Sequence, residues 1–115
     1  DPATRVVLRS DGARLTVEGP AEATLRRVAG LGVRVDGRRD GSTIRAVGFR
    51  VREAAGMPAA DGTLEVRGDT AVLFTPGGRL RYVPVPAALK ARDGARVWIA
   101  GQAGREPQAW GVIAP

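Results

Sequence analysis

The sequence predicts an all-β protein made of two similar units in tandem, each a small β-barrel or sheet with one short helix, packed together. Residues 7–15 align with residues 72–80, and residues 30–37 align with residues 94–101, so the same pattern occurs twice. The 16 Gly and 8 Pro residues separate short apolar runs, which is typical of strands joined by tight turns. Hydrophobic residues make up 43% of the chain, which is enough for a globular core. A repeated pattern constrains the architecture more than a single motif does.

The first predicted unit, residues 1–57, opens with a β-hairpin. Its strands, residues 5–9 and 14–18, flank a turn at Asp11 and Gly12, where Asp bonds the local backbone and Gly accepts positive φ. The other elements of this unit are a short helix between Pro20 and Gly30 and two strands at residues 32–37 and 43–52.

The last strand of this unit has an irregular alternation. Its period-2 pattern slips near Ala46 and Val47. A β-bulge at this point would place Val47 on the inner side together with Ile44, Phe49 and Val51. We therefore expect Val47 to be part of the core.

The second predicted unit, residues 58–115, repeats this order with one more strand at its start. The boundary falls in residues 54–61, which contain Gly56 and Pro58. The predicted elements are strands at residues 63–67, 70–75 and 79–85, a short helix at residues 86–93, and strands at residues 96–100 and 109–113.

The element order of the second unit resembles that of an oligonucleotide/oligosaccharide-binding (OB) fold. Three strands, a short helix and two strands form a five-stranded Greek-key barrel in that fold. The motif Gly-x-x-Val-x-(Val/Ile)-x-Gly at residues 30–37 and 94–101 looks like the fourth strand of such barrels. The chain thus resembles the bacterial OB-fold proteins of cell envelopes, well over residues 61–113 and less well over residues 5–52. The first unit lacks a first strand, so its barrel is incomplete or receives a strand from elsewhere, for example from residues 43–54.

Charge leaves several classes of partner open. The formal net charge is +6 and the isoelectric point is about 11.3, which suits nucleic acid, anionic lipid headgroups or an acidic protein surface. Only one of the 18 basic residues is Lys, however, so the Arg content equally fits the codon bias of a GC-rich bacterial genome. Residues 1–57 contain 11 Arg against seven acidic residues, so most of the positive charge is in the first unit.

The composition argues against an enzyme. The chain contains no His and no Cys, which removes the usual general bases, metal ligands and thiol nucleophiles. Five Asp residues lie beside Gly or in a turn, where Asp is common for backbone reasons: Asp11, Asp40, Asp61, Asp69 and Asp93. We therefore expect no catalytic residues, no metal and no cofactor.

The chain shows no apolar run of the roughly 18 residues that a membrane span requires. It begins at Asp1 rather than Met and has no Cys, which favours an exported, periplasmic protein after removal of a signal peptide. We expect it to lie peripheral to the membrane.

Comparing the two units identifies the candidate interaction residues. Arg9 corresponds to Phe74, and Arg34 corresponds to Trp98. The strand alternation places both rings on the outer face of the second unit. There they form either a docking surface, because exposed aromatic area is enriched at interfaces, or part of a core between the two units.

These observations predict a non-enzymatic accessory subunit that is extrinsic to a larger membrane assembly, for example a respiratory or photosynthetic complex, and docks on its periplasmic side. A basic surface would meet carboxylates or lipid phosphates, and an aromatic surface would anchor the complex. The predicted partner-binding residues are Phe74, Trp98, Arg34, Arg38, Arg39, Arg45 and Arg50.

The alternative is a cytoplasmic protein that binds single-stranded nucleic acid or another anionic polymer. In that case arginines would follow the phosphates and rings would stack on bases. The residues of this alternative are Arg79, Arg81, Arg96, Phe74 and Trp98. A third option is a small ligand or oligosaccharide stacked on Trp98.

Overall fold

A computed structural model describes residues 7–10 and 12–115, and β-strands predominate in it, which confirms the all-β class. The predicted strand at residues 5–9 lies only partly within this range, and Asp11 and the side chain of Arg9 lie outside it. The strands are β1 (Val7–Ser10), β2 (Ala13–Glu18), β3 (Gly32–Asp40), β4 (Thr43–Ala54), β5 (Met57–Arg67), β6 (Thr70–Thr75), β7 (Gly78–Tyr82), β8 (Arg96–Ala100) and β9 (Ala109–Ala114). The helices are α1 (Glu22–Leu25), which continues as a 3₁₀ turn (Arg26–Val28), and α2 (Ala87–Lys90). Within the described residues, no helix is long and apolar enough to cross a bilayer.

The chain forms two compact units. Unit 1 comprises residues 1–29 and 34–50, as far as these are described, and unit 2 comprises residues 30–33 and 51–115. The division predicted from the sequence, between residues 57 and 58, remains a prediction.

Unit 1 is built on the β1–β2 hairpin. The two strands are antiparallel, with Leu8 opposite Leu15, and β2 then pairs in parallel with the first part of β4, where Val17 lies opposite Ile44. Strand β3 pairs with β4. The buried side chains come from strands and helix together: Leu15, Val17, Leu25, Val28, Ile44, Ala46 and Phe49.

The prediction for Val47 is wrong. Its side chain is 63% exposed, whereas Ala46 and Phe49 are buried. The buried side of β4 therefore changes from even to odd residue numbers between Ala46 and Phe49, and the two residues between them absorb this change. Gly48, which has no side chain to place, is one of these two residues.

Unit 2 contains an antiparallel sheet with the strand order β7-β6-β5-β8-β9. The barrel closure expected from the sequence is not found. In the described residues no ladder joins β7 to β9, and the sheet is open. The physical reason lies in the loop of residues 101–108, which bonds the outer edge of β7. The Gly104 N–H donates to the Arg81 carbonyl (2.6 Å), and the Val83 N–H donates to the Arg105 carbonyl (3.2 Å).

One face of this sheet forms the core of unit 2. Leu64, Leu73, Val97 and Ile99 lie on it and are at most 1% exposed, and Leu89 of α2 packs against them. Burying an aliphatic side chain of this size contributes about 1.5–3 kcal/mol. A four-residue helix has little stability of its own, so the burial of Leu89 holds α2 in place.

Candidate interaction surfaces

The second face of the unit 2 sheet carries both candidate rings. Side chains alternate along a strand, so with Leu73 and Val97 in the core, Phe74 and Trp98 point to the opposite side. Phe74 lies opposite Arg79 on β7 in the ladder. We call this side of the sheet the aromatic face, and it also carries Arg81, Arg96 and Asp61.

Phe74 and Arg79 form a cation–π pair on this face. The Arg79 Cζ lies 5.8 Å from the centre of the Phe74 ring, and the ring is half-buried while Arg79 is exposed. Such a pair contributes about 0.5–1 kcal/mol at an exposed site. One side of the ring is thereby occupied by a charge belonging to the protein itself.

Trp98 rests on a glycine of the neighbouring strand. It lies opposite Gly111 on β9, and a Cβ added to Gly111 would lie 2.5 Å from the indole Nε1 and 2.8 Å from Cε2. Only glycine allows the ring to lie this close to the β9 backbone. The half-buried indole is thus held flat against the sheet.

Asp61 forms a buried ion pair with Arg96. Asp61 is 1% exposed, and its Oδ1 accepts from the Arg96 Nε (3.1 Å) and Nη2 (3.0 Å). Its Oδ2 accepts from the Val51 N–H at 2.5 Å. The positive charge of Arg96 is therefore balanced inside the protein, although 29% of its side chain remains exposed.

The explanation of Asp61 as a turn residue is wrong. It lies inside β5, on the ladder opposite Trp98, where it satisfies a backbone N–H and a guanidinium. A carboxylate directly after the apolar run of residues 57–60 was the available signal, and the adjacent Gly62 concealed it by suggesting a turn.

A second ion pair lies at the rim of the aromatic face. Arg67 Nε donates to Glu65 Oε1 at 2.8 Å, and this hydrogen bond lowers the pKa of Glu65 below its ordinary value. The same contact raises the pKa of Arg67. Both groups are exposed, so we assign them to the solvated border of the face.

The predicted basic residues lie on β3 and β4, and the structure separates them. Arg34 and Arg38 share one side of β3 with Asp36 and Asp40, and the Arg34 Nε is 3.8 Å from Asp36 Oδ1. Arg39 points to the other side and donates from Nε to the Gly41 carbonyl at 3.0 Å. The side of β3 that carries Arg34, Asp36, Arg38 and Asp40 is therefore a strip of alternating charge and not a uniformly positive patch.

The remaining two arginines lie on β4. Arg45 is exposed, and an added Cβ on Gly37 would be 2.1 Å from the Arg45 carbonyl, so Arg45 lies directly beside the middle of β3. Arg50 is half-buried. Four of the five predicted basic residues are thus accessible, on the two strands of one hairpin.

Residues 7–10 and 12–115 contain no group of three or more Asp and Glu side chains arranged to hold a metal ion. Comparisons of the chain with protein families, with curated proteins and with solved structures found no match.

Proposed function

We propose that this chain is a non-enzymatic protein-interaction module, an extrinsic accessory subunit that docks on the periplasmic side of a larger membrane assembly. The observation that carries the proposal is the aromatic face. Phe74 and Trp98 are half-buried, not sealed in the core, and each is held in place, by Arg79 and by Gly111 respectively. Rigid aromatic rings lose little entropy on binding, and they are the usual energetic centres of interfaces.

The surrounding charges fit a protein partner. The charge of Arg96 is balanced by Asp61, and that of Arg67 by Glu65. Arg79 and Arg81 keep exposed positive charge on the face, so it favours a partner with acidic groups at its rim, and the paired charges lower the cost of desolvating the apolar area.

The β3–β4 hairpin of unit 1 supplies the second contact. Arg34, Arg38, Arg39 and Arg45 are exposed there, with Asp36 and Asp40 between them. An alternating strip of this kind selects a partner with a complementary alternation of charge, and lipid phosphates would contact the arginines alone.

The proposal includes two tandem OB-like units. It is supported by the equivalent hairpins, in which Leu8 lies opposite Leu15 and Leu73 lies opposite Leu80 at aligned positions. It is further supported by the short helix that follows each hairpin.

The first experiment is purification of the chain from its own host in mild detergent at low salt, followed by mass spectrometry of the co-migrating proteins. We expect a stoichiometric membrane complex. Trp98→Ala should release the chain from it, with a loss of about 2 kcal/mol or more of binding free energy, because a central ring is removed. Val83→Ala is the matched control, since Val83 is an exposed apolar residue beyond the end of β7. Migration of the native chain alone would refute the proposal.

A specific observation favours a second candidate, a single-stranded nucleic-acid binder. All five of its residues, Phe74, Trp98, Arg79, Arg81 and Arg96, share the aromatic face. Ionic strength distinguishes the two functions. Binding of a labelled oligonucleotide should weaken steeply with salt if arginines displace counterions, and a protein interface should change mainly in its on-rate. Tight, salt-sensitive oligonucleotide binding that Phe74→Ala abolishes would put this candidate first.

A further inference from the structure

Unit 2 contains a cavity that neither surface above uses. Its volume is about 530 Å³, within the range of pockets that hold small molecules. It lies between the start of β5, strand β7 and the loop of residues 101–108. Its apolar wall consists of Met57, Pro58, Ala59, Ala60, Leu80 and Ala103.

The polar side chains among the lining residues are all uncharged. They belong to Tyr82, Gln102 and Gln108. Charged residues make up 26% of the chain, yet none of those that the structure describes lines this space. Burial raises the pKa of Tyr82, which keeps its hydroxyl neutral. A charged ligand would lose its hydration here without gaining a partner charge, so the lining selects a neutral one.

The rim of the cavity is held in place by the backbone. The Gly101 N–H donates to the Pro58 carbonyl, and the Gln108 N–H donates to the Ala100 carbonyl, both at 3.0 Å. Gly101 has a φ of 114°, and a Cβ there would lie 2.9 Å from Gln108 Cγ. Together with the bonds to Arg81 in β7 and to Val83 just after it, these contacts fix both ends and the middle of the loop. The cavity is therefore preformed, which lowers the entropy cost of binding.

We propose that this cavity binds an uncharged, mainly apolar small molecule that carries one or two hydrogen-bonding groups. The apolar wall would contact the body of the molecule. The two amides, which donate and accept, and the Tyr82 hydroxyl would orient its polar group. This site is independent of the proposed docking function, because none of the candidate interaction residues, Phe74 and Trp98 included, lines it.

The test uses the neutral dye 1-N-phenylnaphthylamine and the full chain. We expect saturable binding of one dye per chain, followed by dye fluorescence and by energy transfer from tryptophan. Trp110 and Leu80 both pack against the core cluster that contains Tyr82, so a dye in the cavity should quench Trp110. The anionic dye 1-anilinonaphthalene-8-sulfonate should bind at least about tenfold more weakly despite the net charge of +6, a difference of about 1.4 kcal/mol.

Two substitutions fill the cavity from different sides. Ala103→Leu acts from the exposed loop, where a larger side chain does not strain the core, and Ala60→Leu acts from the strand. Each should raise the dissociation constant of the neutral dye about tenfold or more. Ala88→Leu is the matched control, because Ala88 is an exposed alanine of α2 outside the cavity.

Four results would overturn the proposal. These are no saturable binding of the neutral dye, tighter binding of the anionic dye, unchanged binding by both cavity variants, and equal weakening by Ala88→Leu. The Ala103→Leu variant keeps the test valid if Ala60→Leu does not fold. None of these outcomes bears on the co-purification experiment, so the two proposals fail separately.

Discussion

The Asp61–Arg96 pair gives a quantitative prediction about the stability of unit 2. Asp61→Ala removes the acceptor of the Val51 N–H and the partner of Arg96 at a position that is 1% exposed. An orphaned buried N–H costs about 1–3 kcal/mol. Breaking a buried ion pair costs about 3–5 kcal/mol, but Arg96 is 29% exposed and can turn its guanidinium to water, which reduces that share. We therefore expect a total loss of about 2–4 kcal/mol of unfolding free energy.

Replacing the other member of the pair, Arg96, should cost more than its 29% exposure suggests. Arg96→Met removes this guanidinium from a buried carboxylate to which the Val51 N–H still donates. A carboxylate that is 1% exposed cannot turn to water, so the loss should be about 3–5 kcal/mol.

Urea unfolding, followed by tryptophan fluorescence, measures both effects as a shift of the midpoint at constant slope. Asp69→Ala is the control, because Asp69 is exposed and its carbonyl, not its carboxylate, accepts the hydrogen bond from Val85. We expect the control to change stability by no more than about 0.5 kcal/mol. A loss below about 1 kcal/mol for Asp61→Ala would refute the assignment of Asp61 as a buried, bonded carboxylate.

Three further predictions concern individual side chains. Gly111→Ala should displace the Trp98 indole, because the new Cβ would lie 2.5 Å from Nε1. Tryptophan emission should shift to the red and stability should fall by about 1–3 kcal/mol. Gly77→Ala should change neither, because a Cβ there meets only Thr75 Oγ1, at an ordinary contact distance of 3.9 Å. Burial raises the pKa of Tyr82, the only tyrosine, so the folded state holds the phenol proton longer than the unfolded chain. Stability should therefore fall as the pH rises above the unfolded value of about 10, and absorbance at alkaline pH should show later ionisation in the folded than in the urea-unfolded protein. Val47→Asn should alter the urea midpoint by no more than about 0.5 kcal/mol, because Val47 is 63% exposed; a loss of 2 kcal/mol or more, about the cost of emptying a core site, would place it in the core instead.

Local sequence patterns were sufficient to predict much of unit 2. Alternation within residues 70–75 and 96–100 placed Leu73 and Val97 in the core and Phe74 and Trp98 on the opposite face, because side-chain direction in a strand depends only on residue parity. Turn glycines and the short apolar helix were recognised for the same reason, since each depends on neighbouring residues alone.

Features that depend on distant residues were not predicted. The burial of Asp61 requires Arg96 and Val51 to meet it in space, and those residues are 35 and 10 positions away. The open edge of the sheet depends on hydrogen bonds from residues 101–108 to β7, which no local pattern encodes. The buried side of β4 changes from even to odd residue numbers between Ala46 and Phe49. The sequence pattern allows Val47 on either side of the strand, and only packing distinguishes the two arrangements.

The loop of residues 101–108 also bears on how the protein behaves at high concentration. An unprotected strand edge recruits strands from other copies and leads to aggregation. Here the carbonyl of Arg81 and the N–H of Val83 already have partners in that loop, and the exposed side chains of Arg79 and Arg81 add like charge along the same strand. Two copies approaching by this edge would find the Arg81 carbonyl taken, would meet the loop beside it, and would bring like charges from Arg79 and Arg81 together. The loop and the two arginines thus disfavour self-association through β7.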